Sequence, residues 1–168
     1  LPCVKKETTH PKGVSPAHVE KIKKGEGFAP LPYKALEGIC TIGYGHQTGL
    51  PLCPGPDEPP SGKPCCSPGG PPVLVGTQTM EGCTCSPPMA WDEARATKQL
   101  ESDINAQGKN IKSQVMVDLD QAHFDALVDL SGHVGSLPVE FLETIHRYAC
   151  TDDAKVRDAY LNTALTIK

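Results

Sequence analysis

The feature that most constrains this chain is a segment rich in proline and cysteine, residues 51–88. It holds 11 of the 17 prolines and five of the eight cysteines in the 168-residue sequence. Proline fixes the backbone and lacks an amide donor, so such a segment does not build a packed core by itself. We therefore expect residues 51–88 to form a disulfide-stapled surface insert or a flexible flap.

The cysteine positions leave the pairing open. Five cysteines lie in the insert and three outside it, so at least one disulfide leaves the insert if all are paired. Zinc ligation by Cys65-Cys66 and Cys83-Thr84-Cys85 is the alternative, although their spacing is not the usual Cys-x2-Cys. The disulfide interpretation predicts an oxidising, extracytoplasmic destination. The remaining cysteines are Cys53 in the insert and Cys3, Cys40 and Cys150 outside it.

Before the insert, the pattern predicts a helix and a small sheet. Ser15-Pro16 is typical of a helix start and Gly25 of a helix end, so Glu26 is expected at or just past that end. Residues 28–46 place glycines and prolines between short β-prone pieces, which favours a hairpin sheet.

From Met89 onward, apolar residues recur at helical spacing and predict four helices. The helical segments are residues 91–106, 119–135, 138–149 and 152–167. The predicted inward residues are Ala94, Thr97, Leu100 and Ile104 in the first helix and Phe124, Leu127 and Val128 in the second, which Gly135 ends.

The expected architecture is α+β and mostly helical, with one domain over residues 15–168 behind an N-terminal arm, residues 1–14. The domain is divided into a helix and hairpin lobe (15–50), the insert (51–88) and a helical lobe (89–168).

Charge and hydropathy exclude two classes of function. The net charge is −4, and the sequence lacks both an overall basic excess and basic–aromatic interleaving, so nucleic-acid binding is not expected. No apolar run approaches the roughly 18 residues of a membrane span. Residues 1–34 nevertheless carry +4, which fits an anionic polymer or an ordinary solvated helix surface.

The residues around Glu26 carry a specific resemblance. The run E-G-F…P-Y-K-A-L-E-G-I-C-T-I-G-Y-G-H, residues 26–46, resembles the active-site signature of the phage-type lysozymes, the muramidases of glycoside hydrolase family 24. That signature reads Glu, eight residues, Asp, five residues, Thr, then Ile-Gly-x-Gly-His. A second block, D-Q-A-H-F-D-A-L-V-D-L-S-G-H-V-G, resembles a helix of the family's larger lobe, with His133 where Asn is usual.

The resemblance implies a role for each matching residue. Glu26 would be the general acid and Thr41 the hydroxyl that positions water. Gly43, Gly45 and His46 would form the segment that closes the hairpin, with His46 in a stabilising hydrogen bond or ion pair. His123 and His133 are expected to be surface or packing residues.

The resemblance also implies a lysozyme-like fold, in which a small hairpin lobe and a helical lobe flank a substrate cleft. The implied reaction is hydrolysis of the β-1,4 bond between N-acetylmuramic acid and N-acetylglucosamine in peptidoglycan. Such acid–base chemistry needs no cofactor and no metal.

The chain departs from the family pattern at the position of the usual catalytic Asp, which is Ala35. A methyl group neither orients a water nor stabilises an oxocarbenium-like transition state. Glu37 replaces the missing carboxylate if the strand is regular, because residues two apart in a regular strand lie on the same face. The alternative function is therefore a catalytically impaired lysozyme-fold protein that binds peptidoglycan or a protein partner. The chain also ends before the C-terminal helix usual in the family, which predicts a C-terminally truncated helical lobe.

The expected partner is the peptidoglycan glycan chain, with an immunity or inhibitor protein as a further candidate. We expect a monomer that is secreted or delivered to the bacterial periplasm.

Overall fold

The computed structural model describes residues 7–35, 38–50 and 65–149. Within these ranges the chain forms four helices and five strands. In chain order they are α1 (Pro16–Glu26), β1 (Ala29–Lys34), β2 (Cys40–Gly43), β3 (His46–Gln47), β4 (Pro68–Val75), β5 (Gln78–Cys83), α2 (Glu93–Gln114), α3 (Gln121–Val134) and α4 (Val139–Ala149). None of the described helices is both long and apolar enough to cross a membrane.

The chain divides into two compact units. The sheet unit is Glu20–Asp103, and the helical unit comprises, among the described residues, 7–19 and 104–149. The division falls within α1 and α2. The lobe boundaries expected from the sequence stay a prediction.

Helix α1 begins where the sequence predicts and ends slightly later. Pro16 is its first residue, and Ser15 Oγ accepts a hydrogen bond from the His18 amide at 3.3 Å. The predicted stop at Gly25 is wrong. The helix continues to Glu26 because the left-handed residue is Gly27, with φ of 73°.

The first three strands form an antiparallel sheet in the order β1-β2-β3, as expected from residues 28–46. A tight turn joins β1 to β2. The Gly38 amide donates to the Ala35 carbonyl at 2.8 Å, and the Ala35 amide donates to the Ile39 carbonyl at 3.0 Å. Gly38 has φ of 77°, a conformation that glycine adopts without strain. This turn determines the register of the two strands.

Strand β1 is an edge strand whose outer carbonyls are nevertheless paired. The Pro30 carbonyl accepts from the Trp91 amide at 2.9 Å, and the Pro32 carbonyl accepts from the Cys65 amide at 2.8 Å. Both prolines lie where the β1–β2 register shifts, between Ala29 and Tyr33. Proline has no amide to donate to β2, so the irregularity falls where a regular ladder is impossible.

The insert contains a β-hairpin that the sequence pattern did not predict. Strands β4 and β5 pair antiparallel with Val75 opposite Gln78, and Gly76-Thr77 forms a two-residue turn. The prolines of β4 are tolerated because both strands of a two-stranded sheet are edge strands. The first part of the insert, residues 51–64, lies outside the described residues.

Helix α3 confirms its prediction. Phe124, Leu127 and Val128 are fully buried, and Gly135 ends the helix with φ of 81°. Gly108 of α2 allows the close approach of Phe124, since a Cβ placed on Gly108 would lie 3.2 Å from the Phe124 ring. A larger residue at this position would displace the ring from the core of the helical unit.

The inward face of α2 differs from the predicted one by two residues at its start. Ala94 is exposed, whereas Ala96 is buried, and Leu100 and Ile104 are buried as predicted. Residues four apart lie on one helix face, so 96, 100 and 104 form a single row that Ala94 does not join.

The N-terminal segment is held to the helical unit from Thr9 onward, where the Thr9 amide donates to the Asp118 carboxylate at 2.7 Å and the Thr9 carbonyl accepts from the Leu119 amide at 3.1 Å. Asp125 of α3 is buried, and its carboxylate accepts hydrogen bonds from the Ser15 amide, the Ser15 hydroxyl and the Gln121 side chain. Gln121 also donates to the Gly13 carbonyl at 3.0 Å. The segment that the sequence identified only as an arm is therefore packed at its C-terminal end.

Helix α4 is also confirmed, while the predicted helix over residues 152–167 lies outside the described residues. The imidazole of His146 in α4 accepts a hydrogen bond at Nε2 from the Met116 amide, at 3.0 Å. Burial lowers the pKa of His146 below its ordinary value. Both observations favour the neutral ring.

We predict that the His146 hydrogen bond makes stability fall on acidification from about pH 7.5 to about pH 5. A lowered folded-state pKa contributes stability that is complete above the unfolded-state pKa and is lost as the pH falls through the folded-state pKa. We expect a loss of no more than about 1 kcal/mol, because the ring is only partly buried. Urea unfolding of the wild type and of His146→Gln at both pH values measures this loss of unfolding free energy. Glutamine keeps an acceptor that does not titrate, so equal acid losses in the two proteins would contradict the prediction.

Candidate active site

All the residues that the sequence singled out for the site lie in the sheet unit. Helix α1 supplies one of them, the turn after β1 another, and the β2–β3 hairpin the rest. They are Glu26, Ala35, Thr41, Gly43, Gly45 and His46.

Glu26 is exposed and lies against the turn between β2 and β3. A Cβ placed on Gly45 would lie 3.5 Å from Oε2 of Glu26. Gly45 has φ of 90°, which favours glycine, and any side chain would also approach the carboxylate. The turn can therefore pass directly beside Glu26 while the carboxylate remains open to a ligand.

Tyr33 and Thr41 are directly opposed on β1 and β2. Opposed residues of an antiparallel pair project from the same face of the sheet. Thr41 is in turn opposite Gln47 on β3, so the three side chains form one row across the sheet. Burial and the negative charge of Glu26 raise the pKa of Tyr33.

Within the row, access to solvent differs. Thr41 is only 5% exposed, and its hydroxyl donates to the Ile39 carbonyl at 3.2 Å. Tyr33 is half-buried and Gln47 is exposed. The hydroxyl that the sequence assigned to water positioning is thus the least accessible member of the row.

Ala35 lies in the turn at the end of β1, where both its backbone groups are hydrogen-bonded. Its methyl side chain is half-buried and has no polar atom to offer a substrate or a water. Glu37, the alternative carboxylate, lies outside the described residues.

His46 makes the kind of hydrogen bond expected from the resemblance. Its Nδ1 lies 2.8 Å from Oδ2 of Asp103 on α2, and Gln99 donates to the other oxygen of that carboxylate at 2.9 Å. The imidazole also packs on Trp91, with ring centroids 5.4 Å apart. These contacts tie the hairpin that carries the site to α2.

The residues flanking His46 pack against the same helix. A Cβ on Gly43 would lie 3.0 Å from the ring of Trp91, just before α2, and 3.1 Å from the Cβ of Ala96 on α2, so only glycine fits there. The Tyr44 hydroxyl donates to Glu93 at 2.7 Å. Burial and this hydrogen bond raise the pKa of Tyr44 to about 12. The phenol is therefore a structural donor throughout the neutral range.

Two disulfides connect the insert to the site and to itself. Cys40, directly before Thr41, is bonded to Cys65, and Cys66 is bonded to Cys85. One of these bonds leaves the insert, since Cys40 lies outside it and Cys65 within it. The zinc alternative is wrong for these sulfurs, since they are engaged in disulfides. Cys83 is a free, fully buried thiol.

The two histidines of α3 belong to the helical unit. His123 Nδ1 lies 2.7 Å from Asp120, whose carboxylate caps the helix by accepting from the His123 amide. His133 is exposed and donates from Nδ1 to the Asp129 carbonyl at 2.8 Å. These contacts agree with surface and packing roles.

Three residues around the site were not predicted from the sequence: Tyr33, Trp91 and Asp103. A signal existed for Tyr33, because a hairpin that pairs Lys34 with Cys40 also pairs Tyr33 with Thr41. No local signal existed for the other two, which lie far along the chain from the hairpin they support.

The phage lysozyme family model matches residues 23–159. The chain belongs to the phage lysozyme family. None of the curated proteins compared with the chain matches it significantly.

Solved structures give a similar result. The muramidase domain of SpmX from Asticaccaulis excentricus is similar over 90% of this chain and 74% of its own, at 19% identity and a TM-score of 0.50. An endolysin from the Escherichia coli O157:H7 phage FAHEc1 is similar over 90% of this chain and 73% of its own, at 20% identity and a TM-score of 0.49. A P22 lysozyme mutant is similar over 92% of this chain and 94% of its own, at 19% identity and a TM-score of 0.46. Together with the family match, the first of these confirms the lysozyme-like α+β fold.

We predict that the two disulfides contribute similarly to stability but differently to cell-wall hydrolysis. They span 25 and 19 residues, so each should contribute about 3 kcal/mol through the unfolded state. Only Cys40–Cys65 holds the strand that carries Thr41. Thermal melts and hydrolysis rates should show that Cys40→Ala/Cys65→Ala loses stability and activity, whereas Cys66→Ala/Cys85→Ala loses mainly stability. Equal activity in the two variants, at a temperature where both are folded, would contradict this.

Proposed function

We propose that the sheet unit carries the active site and that Glu26 is its general acid. Membership of the phage lysozyme family makes the protein a peptidoglycan muramidase, a glycoside hydrolase that cleaves the β-1,4 bond between N-acetylmuramic acid and N-acetylglucosamine. The observation that supports Glu26 is its position. Its carboxylate is exposed and lies against the Gly45 turn, and its charge acts on the phenol of Tyr33.

In the proposed reaction, the protonated carboxyl of Glu26 donates its proton to the glycosidic oxygen. The bond between that oxygen and the anomeric carbon breaks, and a water attacks the carbon. The Thr41 hydroxyl lies in the row beside Glu26 and helps to hold this water. Gly43, Gly45 and His46 act indirectly, because they fix the hairpin against α2 and so fix the place of the turn beside Glu26.

Ala35 weakens this reaction in our proposal without abolishing it. A carboxylate that holds water and faces a developing positive charge lowers the barrier by several kcal/mol, which corresponds to roughly 10³-fold in rate. The impaired-enzyme alternative rests on this position alone, and family membership favours the hydrolase.

The site of action follows from the substrate. Peptidoglycan lies outside the cytoplasm, and the disulfides Cys40–Cys65 and Cys66–Cys85 fit an oxidising compartment. We propose that the protein acts as a monomer after secretion or delivery to the periplasm. An immunity or inhibitor protein that covers Glu26 is a proposed partner.

The role of Glu26 is tested by the release of soluble muropeptides from purified peptidoglycan. We expect Glu26→Gln to reduce the release rate at least about 10²-fold, since the amide has no proton to donate. Glu20→Gln is the matched control, because it makes the same charge change on the same helix at an exposed position. Similar rates in the two variants would refute the assignment.

The contribution of position 35 is tested by Ala35→Asp. We expect the new carboxylate to raise the release rate by about 10-fold or more, because it restores a group that orients water. An unchanged rate in a variant that melts at the wild-type temperature would show that the chain does not use this position.

A further inference from the structure

We infer that Tyr33 is an additional catalytic residue, whose phenol oxygen holds the attacking water beside Thr41. The inference rests on the proposed function, since it concerns the same reaction at the same site. The Tyr33 hydroxyl supplies part of the water orientation that the methyl group of Ala35 does not provide.

The position of Tyr33 comes from the sheet. It is directly opposed to Thr41, so both side chains project from one face, and the charge of Glu26 reaches the phenol. Glu26 lies against the Gly45 turn, which joins β2 to β3. Tyr33 is therefore the hydroxyl-bearing side chain that lies near both the proposed acid and the proposed water-positioning residue.

The accessibility of the row favours Tyr33 over Thr41 as the group that contacts water. Thr41 is almost completely buried, and its only proton is donated to the Ile39 carbonyl. A phenol extends farther from the strand than a threonine hydroxyl, and Tyr33 is half-buried. A water on the exposed side of the row therefore meets the phenol oxygen first, with Thr41 behind it.

The protonation state of Tyr33 determines what it can do. Burial and the Glu26 charge raise its pKa, so the phenol is neutral in the neutral range and is neither a nucleophile nor a base. Its oxygen accepts a hydrogen bond from the water and orients it. Glu26 gives its proton to the leaving oxygen, and the water forms the new bond to the anomeric carbon. The proton that the water loses goes to solvent, from which Glu26 is reprotonated.

Tyr33→Phe tests the inference by removing only the hydroxyl. With polymeric peptidoglycan as substrate, we expect kcat to fall about tenfold to thirtyfold, while KM and the melting temperature change little. Tyr44→Phe is the matched control, because the hydroxyl of Tyr44 is committed to Glu93 on α2. It should lower the melting temperature and leave kcat within about twofold of the wild type.

A double-variant cycle separates catalysis from structure. If the phenol performs part of the work of a missing carboxylate, Tyr33→Phe should reduce kcat less in the Ala35→Asp background than in the wild type. A merely structural tyrosine would cause the same loss in both backgrounds.

Three results would overturn the inference: an unchanged kcat in Tyr33→Phe, a loss equal in both backgrounds, or a similar kcat loss in Tyr44→Phe. If the wild type released no muropeptides, both the proposed function and the inference on Tyr33 would be refuted. If the wild type is active, Glu26→Gln is inactive and Tyr33→Phe is unchanged, only the role of Tyr33 is refuted.

Discussion

Antiparallel pairing of β1 with β2 around the Ala35–Gly38 turn is the constraint on which the site depends. Pleated strands put directly opposed residues on one face, so this turn makes Tyr33 and Thr41 neighbours. If the register slipped by one residue, the side chains of one strand would move to the opposite face of the sheet, and Tyr33 would no longer lie beside Thr41. The prolines of β1 remove amide donors from the ladder, and the pairing is therefore regular only close to the turn.

The sheet unit secures this pairing from several directions. The carbonyls of Pro30 and Pro32 bond to chain segments outside the sheet, and Cys40 is covalently tied to Cys65. His46 connects the last strand to α2 through Asp103. A unit with few large apolar side chains thus gains order from backbone hydrogen bonds, the His46–Asp103 hydrogen bond and two disulfides. The adjacent cysteines Cys65 and Cys66 have different roles, since Cys65 is bonded to Cys40 at the start of β2 and Cys66 closes the base of the β4–β5 hairpin through Cys85.

The success of the sequence predictions depended on how local each signal was. Helix α3 was predicted correctly because its cap, apolar row and glycine stop all lie within sixteen residues of sequence. The inward row of α2 was misplaced at Ala94, because two alanines two residues apart compete and only packing selects Ala96. The β4–β5 hairpin was missed because proline composition masked a short run of valine and leucine followed by a glycine turn. Disulfide partners were unpredictable, since any cysteine can pair with any other until the fold brings two together.

The sequence by itself determined the family, the end of α1 near Glu26, the alanine at position 35 and the glycines of the hairpin. These are properties of residue type and spacing along one short stretch. Only the tertiary structure decided that Thr41 is buried, that Tyr33 is its accessible neighbour and that Asp103 and Trp91 support His46. Burial and cross-strand contact depend on which distant segments cover a residue, and spacing along the chain does not carry that information.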